Sequence, residues 1–489
     1  MSRTGLLPPI ALLLGLSALP ATASSATLEL TDCRISAGPA FPSQRARCGT
    51  LERPLDPDDP DSPMIELRVA VVPALNLEPE PDPVVPIAGG PGQGSVQFYS
   101  AYRGAFEPLR RNRDILLVDQ RGTGDSARMD CDVDEDLVDG QFSVEQTIAL
   151  TRECLEALPH DPRFFTTRVA VHDLEAVREA LGYPALNLYG VSYGTRVAQH
   201  FARRYPDSVR TLVLDGVVPP QIALGPEIAT EAQRAVDTIF DRCAEDANCA
   251  ERFPDLHARF SALTTELDAT PARVRLPDPT TGDFDTLRFG RTELAGAVRL
   301  LAYSPNSIAI LPLLISEAAD GNLRPLAAQF QMTTASMADA LALGMHNAVM
   351  CTEDTPFYTP EIINEPALRE TYIGPLQVEA MEAMCSVWPA GPIDDDFKEP
   401  LATSIPTLLL SGSADPITPP RYADLAAMHL KEAWLRTNEH QGHGQIAVGC
   451  MPRVVEGFVT IMTMEPEDFE CLDASFVMPF FLNFSGPKP

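Results

Sequence analysis

The sequence predicts an α/β fold: a mostly parallel central sheet flanked by helices, with a mostly helical segment inserted before the last strands. Three observations carry that prediction. Short apolar, β-branched runs bounded by Gly and Pro alternate with longer helical patterns. Several of the runs are apolar throughout, as strands buried on both faces of a parallel sheet must be. The alternation stops between about 219 and 400 and resumes at Ile405.

The chain opens with Met1-Ser2-Arg3, an apolar stretch from Leu6 to Leu19, then Ala21-Thr22-Ala23. One positive charge, a short apolar core and small residues at a cleavage site predict a signal peptide over 1–23, too short and wrongly flanked for a membrane anchor. Pro8, Pro9 and Pro20 argue against a continuous helix there. No later apolar run reaches the roughly 18 residues of a membrane span. A secreted or periplasmic protein without an anchor is therefore expected.

Strands are expected at 66–72, 84–88, 115–119, 186–189, 211–214, 407–410 and 433–436. Helices are expected at 169–181, closed by Gly182, and at 195–205, ended by Pro206. The first part of the sheet domain spans 24–219 and the second 401–489, with 220–400 between them as a cap. The cap carries helical patterns at 228–243, 253–267 and 291–301 and no clear core strand. The Pro-rich piece Glu78-Pro79-Glu80-Pro81-Asp82-Pro83 reads as a stiff loop between strands.

Composition narrows the partners. The 489 residues include 68 acidic and 37 basic ones, a formal charge of −31 that repels nucleic acid and anionic lipid. Basic stretches such as Arg110-Arg111-Asn112-Arg113 are short and isolated. The ten cysteines fall as chain neighbours: Cys33 and Cys48, Cys131 and Cys154, Cys243 and Cys249, Cys351 and Cys385, Cys450 and Cys471. In an oxidising compartment, disulfides between those neighbours are the simplest expectation. No Cys-x-x-Cys pair occurs and no His lies at ligand spacing from a cysteine, so no metal is expected.

Chemistry concentrates in a few places. Gly190-Val191-Ser192-Tyr193-Gly194 fits Gly-x-Ser-x-Gly, follows an expected strand and opens an expected helix. A tight strand-to-helix turn lifts its serine out of the sheet and sets it beside the positive end of a helix. Ser192 is the candidate nucleophile. Such a serine needs a base, and the base an orienting carboxylate, in the chain order Ser, Asp or Glu, His. Asp415 lies in the loop after the run Leu408-Leu409-Leu410, and His443 stands between two glycines after the next strand. His440 is the alternative base. Asp215, which ends the run Leu212-Val213-Leu214 before the insertion, is the alternative acid and reads as structural.

Backbone N–H groups must then receive the developing oxyanion. The Tyr193 amide is one candidate. Gly90, in Ala88-Gly89-Gly90-Pro91-Gly92-Gln93-Gly94, supplies the other. No Gly-Lys-Ser/Thr follows that loop and no helix is expected to start there, which sets a phosphate-binding loop aside. Acyl transfer of this kind needs no metal or organic cofactor.

Together, Gly89-Gly90-Pro91-Gly92, Asp119-Gln120-Arg121-Gly122-Thr123-Gly124-Asp125-Ser126, Gly190-Val191-Ser192-Tyr193-Gly194-Thr195, Asp415 and His443 resemble the proline iminopeptidase and tripeptidyl aminopeptidase group. The resemblance runs from about residue 60 to the end. It implies the α/β-hydrolase fold and hydrolysis of peptides or amino-acid amides from a free N-terminus. Proline iminopeptidases carry His before Gly-Gly-Pro-Gly and Trp after the serine, where this chain has Ala88 and Tyr193. Gly442-His443-Gly444, with Cys450 beyond, resembles the C-terminal region of the tripeptidyl aminopeptidase branch.

An aminopeptidase must hold an ammonium group, and a buried carboxylate in the cap would do so. Glu353, with Asp354, is the candidate, beside the expected bridge between Cys351 and Cys385. Asp119 and Arg121 are expected to brace a loop. The expected partner is thus a peptide or a small amide or ester, since the same machinery would serve an esterase or lipase. A non-catalytic binding module on this scaffold would not require Ser192, Asp415 and His443 together.

Overall fold

The computed structural model describes residues 1, 28–38, 41–131, 143–279, 281–473 and 477–487. The expected signal peptide, Met1 aside, lies outside the described residues. The strands are β1 (Thr31–Ile35), β2 (Gln44–Pro54), β3 (Met64–Val72), β4 (Val84–Ile87), β5 (Ile115–Val118), β6 (Leu186–Val191), β7 (Val209–Asp215), β8 (Ala272–Pro277), β9 (Phe284–Phe289), β10 (Thr407–Gly412) and β11 (Ala433–Asn438). One sheet has the order β1-β2-β3-β5-β4-β6-β7-β10-β11, and β8 pairs with β9 as a separate hairpin. From β5 to β11 the neighbours are parallel, while β1, β2, β3 and β5 pair antiparallel.

Burial explains which strands show in the sequence. β6 and β10 are buried at every residue, so apolar side chains stand on both faces, as Leu188 and Tyr189 do in β6 and Leu408, Leu409 and Leu410 do in β10. β2 alternates instead, with Arg45 and Arg47 outward and Ala46 and Cys48 inward. It and β1 are additions to the expected strands.

Helices cover both faces. α1 (Ser95–Arg110) and the helix Met451–Ile461 bury Phe98, Tyr99, Phe106, Val455 and Phe458 against Val72, Leu117, Leu408 and Leu410. After α2 (Val144–Ala157), α3 (Thr167–Leu181) and α4 (Tyr193–Arg204) pack Val171, Leu174, Val197 and Phe201 on Leu67, Leu188, Leu212 and Leu409. Each such side chain contributes roughly 1.5–3 kcal/mol on burial. α1 corrects the expectation that no helix follows the glycine loop. Its buried stripe is diluted by Gly104 and Pro108, and its N-cap is Gly94, which has no side chain to signal a start.

The chain leaves the sheet after Asp215 and rejoins it at Thr407. Between them lie α5 (Ile228–Glu245), the β8–β9 hairpin and further helices, including Leu256–Ala269, Arg291–Leu301 and Arg324–Ala340. The helix expected at 253–267 starts at Leu256, because Asp255 takes the left-handed conformation with φ 56°. Phe240, Phe260, Leu294 and Leu314 belong to a separate core within this cap.

All five expected neighbour pairs are disulfides. Cys33 bonds Cys48, tying β1 to β2, and Cys131 bonds Cys154 of α2. Cys243 bonds Cys249 across the end of α5, and Cys351 bonds Cys385 within the cap. Cys450 bonds Cys471, holding the last described helical turn beside the helix Met451–Ile461. Among the described residues, no helix is long and apolar enough to cross a membrane.

Candidate active site

Ser192 sits between β6 and α4 with φ 56° and ψ −128°, a strained position for a residue with a side chain. Its N–H donates to the Asp215 carbonyl (2.9 Å), and its own carbonyl accepts from Thr195 N (2.9 Å) and Oγ1 (2.6 Å). The flanking glycines answer to close approach. A Cβ on Gly190 would lie 2.4 Å from the Gly194 carbonyl oxygen, and one on Gly194 would lie 2.2 Å from that of Ile87. Both glycines of the pentapeptide are thus dictated by backbone packed around the turn.

Asp415, fully buried, accepts from the Ile417 and Thr418 N–H groups (2.9 Å each), from Thr418 Oγ1 (2.7 Å) and from His443 Nδ1 (2.8 Å). Burial alone would raise its pKa. The His443 charge and hydrogen bond and the backbone donors outweigh that and hold it below the ordinary carboxylate value. His443 responds in the opposite sense: burial pulls it down, but the Asp415 charge and hydrogen bond, with the Asp215 charge, leave it raised. The backbone also fixes the imidazole. His443 N–H donates to the Tyr303 carbonyl (2.8 Å), and the Tyr303 ring stands edge-on to it at 5.2 Å.

Asp215 ties the two halves of the site together. Its carbonyl holds the Ser192 amide, while its carboxylate accepts from Gln445 N (2.7 and 2.8 Å), Ile446 N (2.9 Å) and Tyr189 OH (2.6 Å). Burial pushes it up to about 6 against those bonds. It touches the histidine loop just past His443, and the imidazole lies against Gly216, whose Cβ would be 2.9 Å from His443 Cε1. No hydrogen bond joins Ser192 Oγ to His443 among the described residues; in unliganded enzymes that bond is often long and tightens only with substrate. The His440 backbone N–H donates to Ser413 Oγ at 2.7 Å, and its imidazole Nδ1 is buried with no hydrogen-bond partner among the described residues.

The glycine loop closes over the serine. A Cβ on Gly89 would meet Ser192 Cβ at 2.8 Å, so Gly89 is the residue pressed on Ser192, and Gly90 follows with φ 110°. Ala342 N–H holds Gly92 O (3.0 Å), and His346 Nδ1 holds Pro91 O (3.1 Å). Asp119 Oδ1 accepts from Val96 N (2.9 Å), and the buried Arg121 forks onto Asp173 (2.6 and 2.9 Å). Both are bracing residues.

Glu353 and Asp354 end a π-helical turn, Met350–Asp354, at 0 % exposure. Glu353 accepts from Thr167 N (2.6 Å) and Oγ1 (2.8 Å), and Thr167 Oγ1 meets Tyr193 OH at 2.6 Å. Burial pushes Glu353 up to about 7, against the Arg196 charge. Asp354 binds Arg196 twice (2.8 and 2.9 Å), Lys398 Nζ (3.2 Å) and Leu224 N (2.9 Å). Both carboxylates therefore face inward, Glu353 onto the start of α3 and Asp354 onto Arg196 of the helix that follows Ser192. Tyr303 and Thr418 join the site without having been expected there. Thr418 has a local signal in Asp-Pro-Ile-Thr, where an aspartate can accept from the next backbone amides. Tyr303, coming from the cap, has none.

A family model described as the alpha/beta hydrolase fold matches residues 82–445. The serine protease Hip1 of Mycobacterium tuberculosis is 25% identical over 486 residues, covering 91% of each chain. Tripeptidyl aminopeptidase of Streptomyces coelicolor is 30% identical over 227 residues, 42% of this chain and 41% of its own. Carboxylesterase B of Mycobacterium tuberculosis is 26% identical over 271 residues, 50% of this chain and 52% of its own.

Proposed function

We propose, for a chain that belongs to the alpha/beta hydrolase fold family and is a serine hydrolase, that it is a secreted or periplasmic exopeptidase cleaving peptide or amino-acid amide bonds near a free N-terminus. The observation that carries the peptidase reading is coverage. Similarity to a serine protease extends over 91% of both chains, cap included, whereas the carboxylesterase matches half. Five disulfides fit an oxidising compartment.

Ser192 Oγ attacks the carbonyl while His443 takes its proton, then returns it to the leaving amine. Water, activated by the same imidazole, releases the acyl group. Asp415 holds the imidazole through Nδ1. The Tyr193 and Gly90 amides receive the oxyanion; neither donates to another group among the described residues. The substrate's ammonium group is not assigned to Glu353 or Asp354, whose carboxylates already hold internal donors.

Ser192→Ala should lower turnover at least about a thousandfold and abolish labelling by a fluorophosphonate. Near-full activity in that variant refutes the assignment. A panel of Pro-, Ala- and tripeptidyl amides, their N-blocked forms and a short aryl ester then separates the readings. Cleavage of unblocked amides supports the exopeptidase, and rapid cleavage of the ester alone supports the esterase.

A further inference from the structure

Between α2 and the cap lies a cavity of about 330 Å³, at the lower end of the size usual for small-ligand sites. Ala295, Gly296 and Arg299 of the helix Arg291–Leu301 line it, with Ile373, Glu379 and Ala380. Arg299 differs from other arginines drawn into the fold. Arg121 is paired with Asp173, Arg196 with Asp354 and Arg234 with Glu231, while Arg242 lies over the Phe480 ring at 4.1 Å. Arg299 has no ion pair and its guanidinium donates no hydrogen bond among the described residues. In a chain with 68 acidic and 37 basic residues, carboxylates are plentiful, and a partly buried guanidinium left without one is suited to an anionic ligand.

The position of Arg299 relates it to the proposed chemistry. It precedes by one helical turn Tyr303, whose carbonyl and ring seat His443. Its charge also reaches His346, which holds Pro91 of the glycine loop and which burial, with Arg299 adding to it, depresses. Arg299 thus stands on the cap helix that leads into Tyr303, and its charge is felt at His346.

We infer that Arg299 is a specificity residue that receives a carboxylate of the substrate, either an acidic side chain or a C-terminal carboxylate. The planar fork suits that group, offering two parallel N–H bonds. Glu379 shares the cavity and carries the ligand's own sign, so it opposes rather than supplies the binding. The inference rests on the serine-hydrolase reading and names part of its substrate.

The test uses the purified enzyme and two pairs of short peptides with free N-termini. One pair exchanges glutamate for glutamine; the other exchanges a free C-terminal carboxylate for its amide. The wild type should favour the carboxylate member of one pair by roughly tenfold to a hundredfold in kcat/KM, the range a charge-assisted hydrogen bond supports. Which pair responds identifies the source of the carboxylate. Arg299→Gln should erase the preference, Arg299→Lys should keep part of it, and Glu379→Gln should enlarge it. No preference in either pair, or a preference undiminished in Arg299→Gln, overturns the inference. If Arg299→Gln does not fold, the Arg299→Lys and Glu379→Gln variants decide by the same ratios. Fluorophosphonate labelling of the wild type separates the two levels: no label on Ser192 sinks the hydrolase reading itself, whereas label without carboxylate preference sinks only the role of Arg299.

Discussion

Two aspartates end neighbouring strands and face one histidine loop, yet they hold their protons differently. Asp215 closes β7, Asp415 lies just beyond β10, and β7 and β10 are paired with Leu410 opposite Asp215. Both are fully buried, and each accepts several hydrogen bonds. Burial pushes Asp215 up to about 6, whereas Asp415 is held below the ordinary value despite its burial. The difference lies in the donors. Asp215 accepts from neutral amides and a phenol; Asp415 adds a titratable imidazole at 2.8 Å. Equal burial with unequal partners distinguishes the clamp at Asp215 from the proposed orienting acid at Asp415.

The largest expected effect breaks that separation at Asp415. Asp415→Asn keeps the shape but removes the charge that fixes the tautomer and stabilises the imidazolium, and kcat should fall on the order of 10³–10⁴-fold. The acid limb of kcat/KM checks the cause. In the proposed mechanism His443 must be neutral to act, and in the wild type Asp415 raises its pKa against burial, so activity should be lost as pH falls through a value above the ordinary imidazole one. In Asp415→Asn burial acts with less opposition, and the limb should move to lower pH. A variant that keeps a tenth of its activity would transfer the acid role to Asp215.

A smaller loss is expected at Asp215. Asp215→Asn turns an amide N–H₂ toward donors that need acceptors, loosening the loop behind His443. The kcat should drop roughly ten- to a hundredfold with KM little changed, in line with one disturbed buried network. The acid limb should again shift down, by less than in Asp415→Asn, because the Asp215 charge also raises His443. Stability gives an independent sign. A folded-state pKa raised to about 6 means that native Asp215 binds its proton more tightly than the unfolded chain does. Its contribution is therefore fully present below the ordinary carboxylate value and is lost as pH rises toward 6. Melting curves should show Asp215→Asn further below the wild type near pH 4 than near pH 7. The same deficit at both pH values would mean that Asp215 does not titrate in the native state.

Both aspartates are visible in the sequence because each follows a continuous apolar strand, and the order Ser192, Asp415, His443 makes Asp415 the proposed acid before any geometry. The steric demand behind Gly190 and Gly194 is equally local. So are the disulfides, since each cysteine bonds its nearest neighbour in the chain, as Cys243 does Cys249. What is not legible comes from two sources. Half-exposed elements carry mixed sequences: β2 hides its buried face behind Arg45 and Arg47, and α1 has a glycine, Gly94, as its N-cap. Long-range ion pairs leave no local trace either. Glu353 and Asp354 read as an acidic pair open to a ligand, yet Arg196 and Lys398 meet Asp354 from 158 and 44 residues away. Tyr303 belongs to the same class, since only the folded cap brings it over His443.

The smallest effect is the one that tests whether Asp415 is over-determined. Thr418 Oγ1 lies 2.7 Å from Asp415 Oδ2 and 3.1 Å from His443 Nδ1, so it stands between acid and base without belonging to either. Thr418→Val keeps the branched shape and removes one donor, while the two backbone amides and the imidazole remain. One lost hydrogen bond of about 1 kcal/mol corresponds to roughly a fivefold fall in kcat/KM, with Thr418→Ser restoring most of it. The acid limb should move slightly downward, because a less stabilised Asp415 anion supports the imidazolium less well. A loss as large as that of Asp415→Asn would mean that the hydroxyl, not the pair of backbone amides, keeps Asp415 ionised, and the contrast with Asp215 would then rest on a single side chain rather than on the loop that presents it.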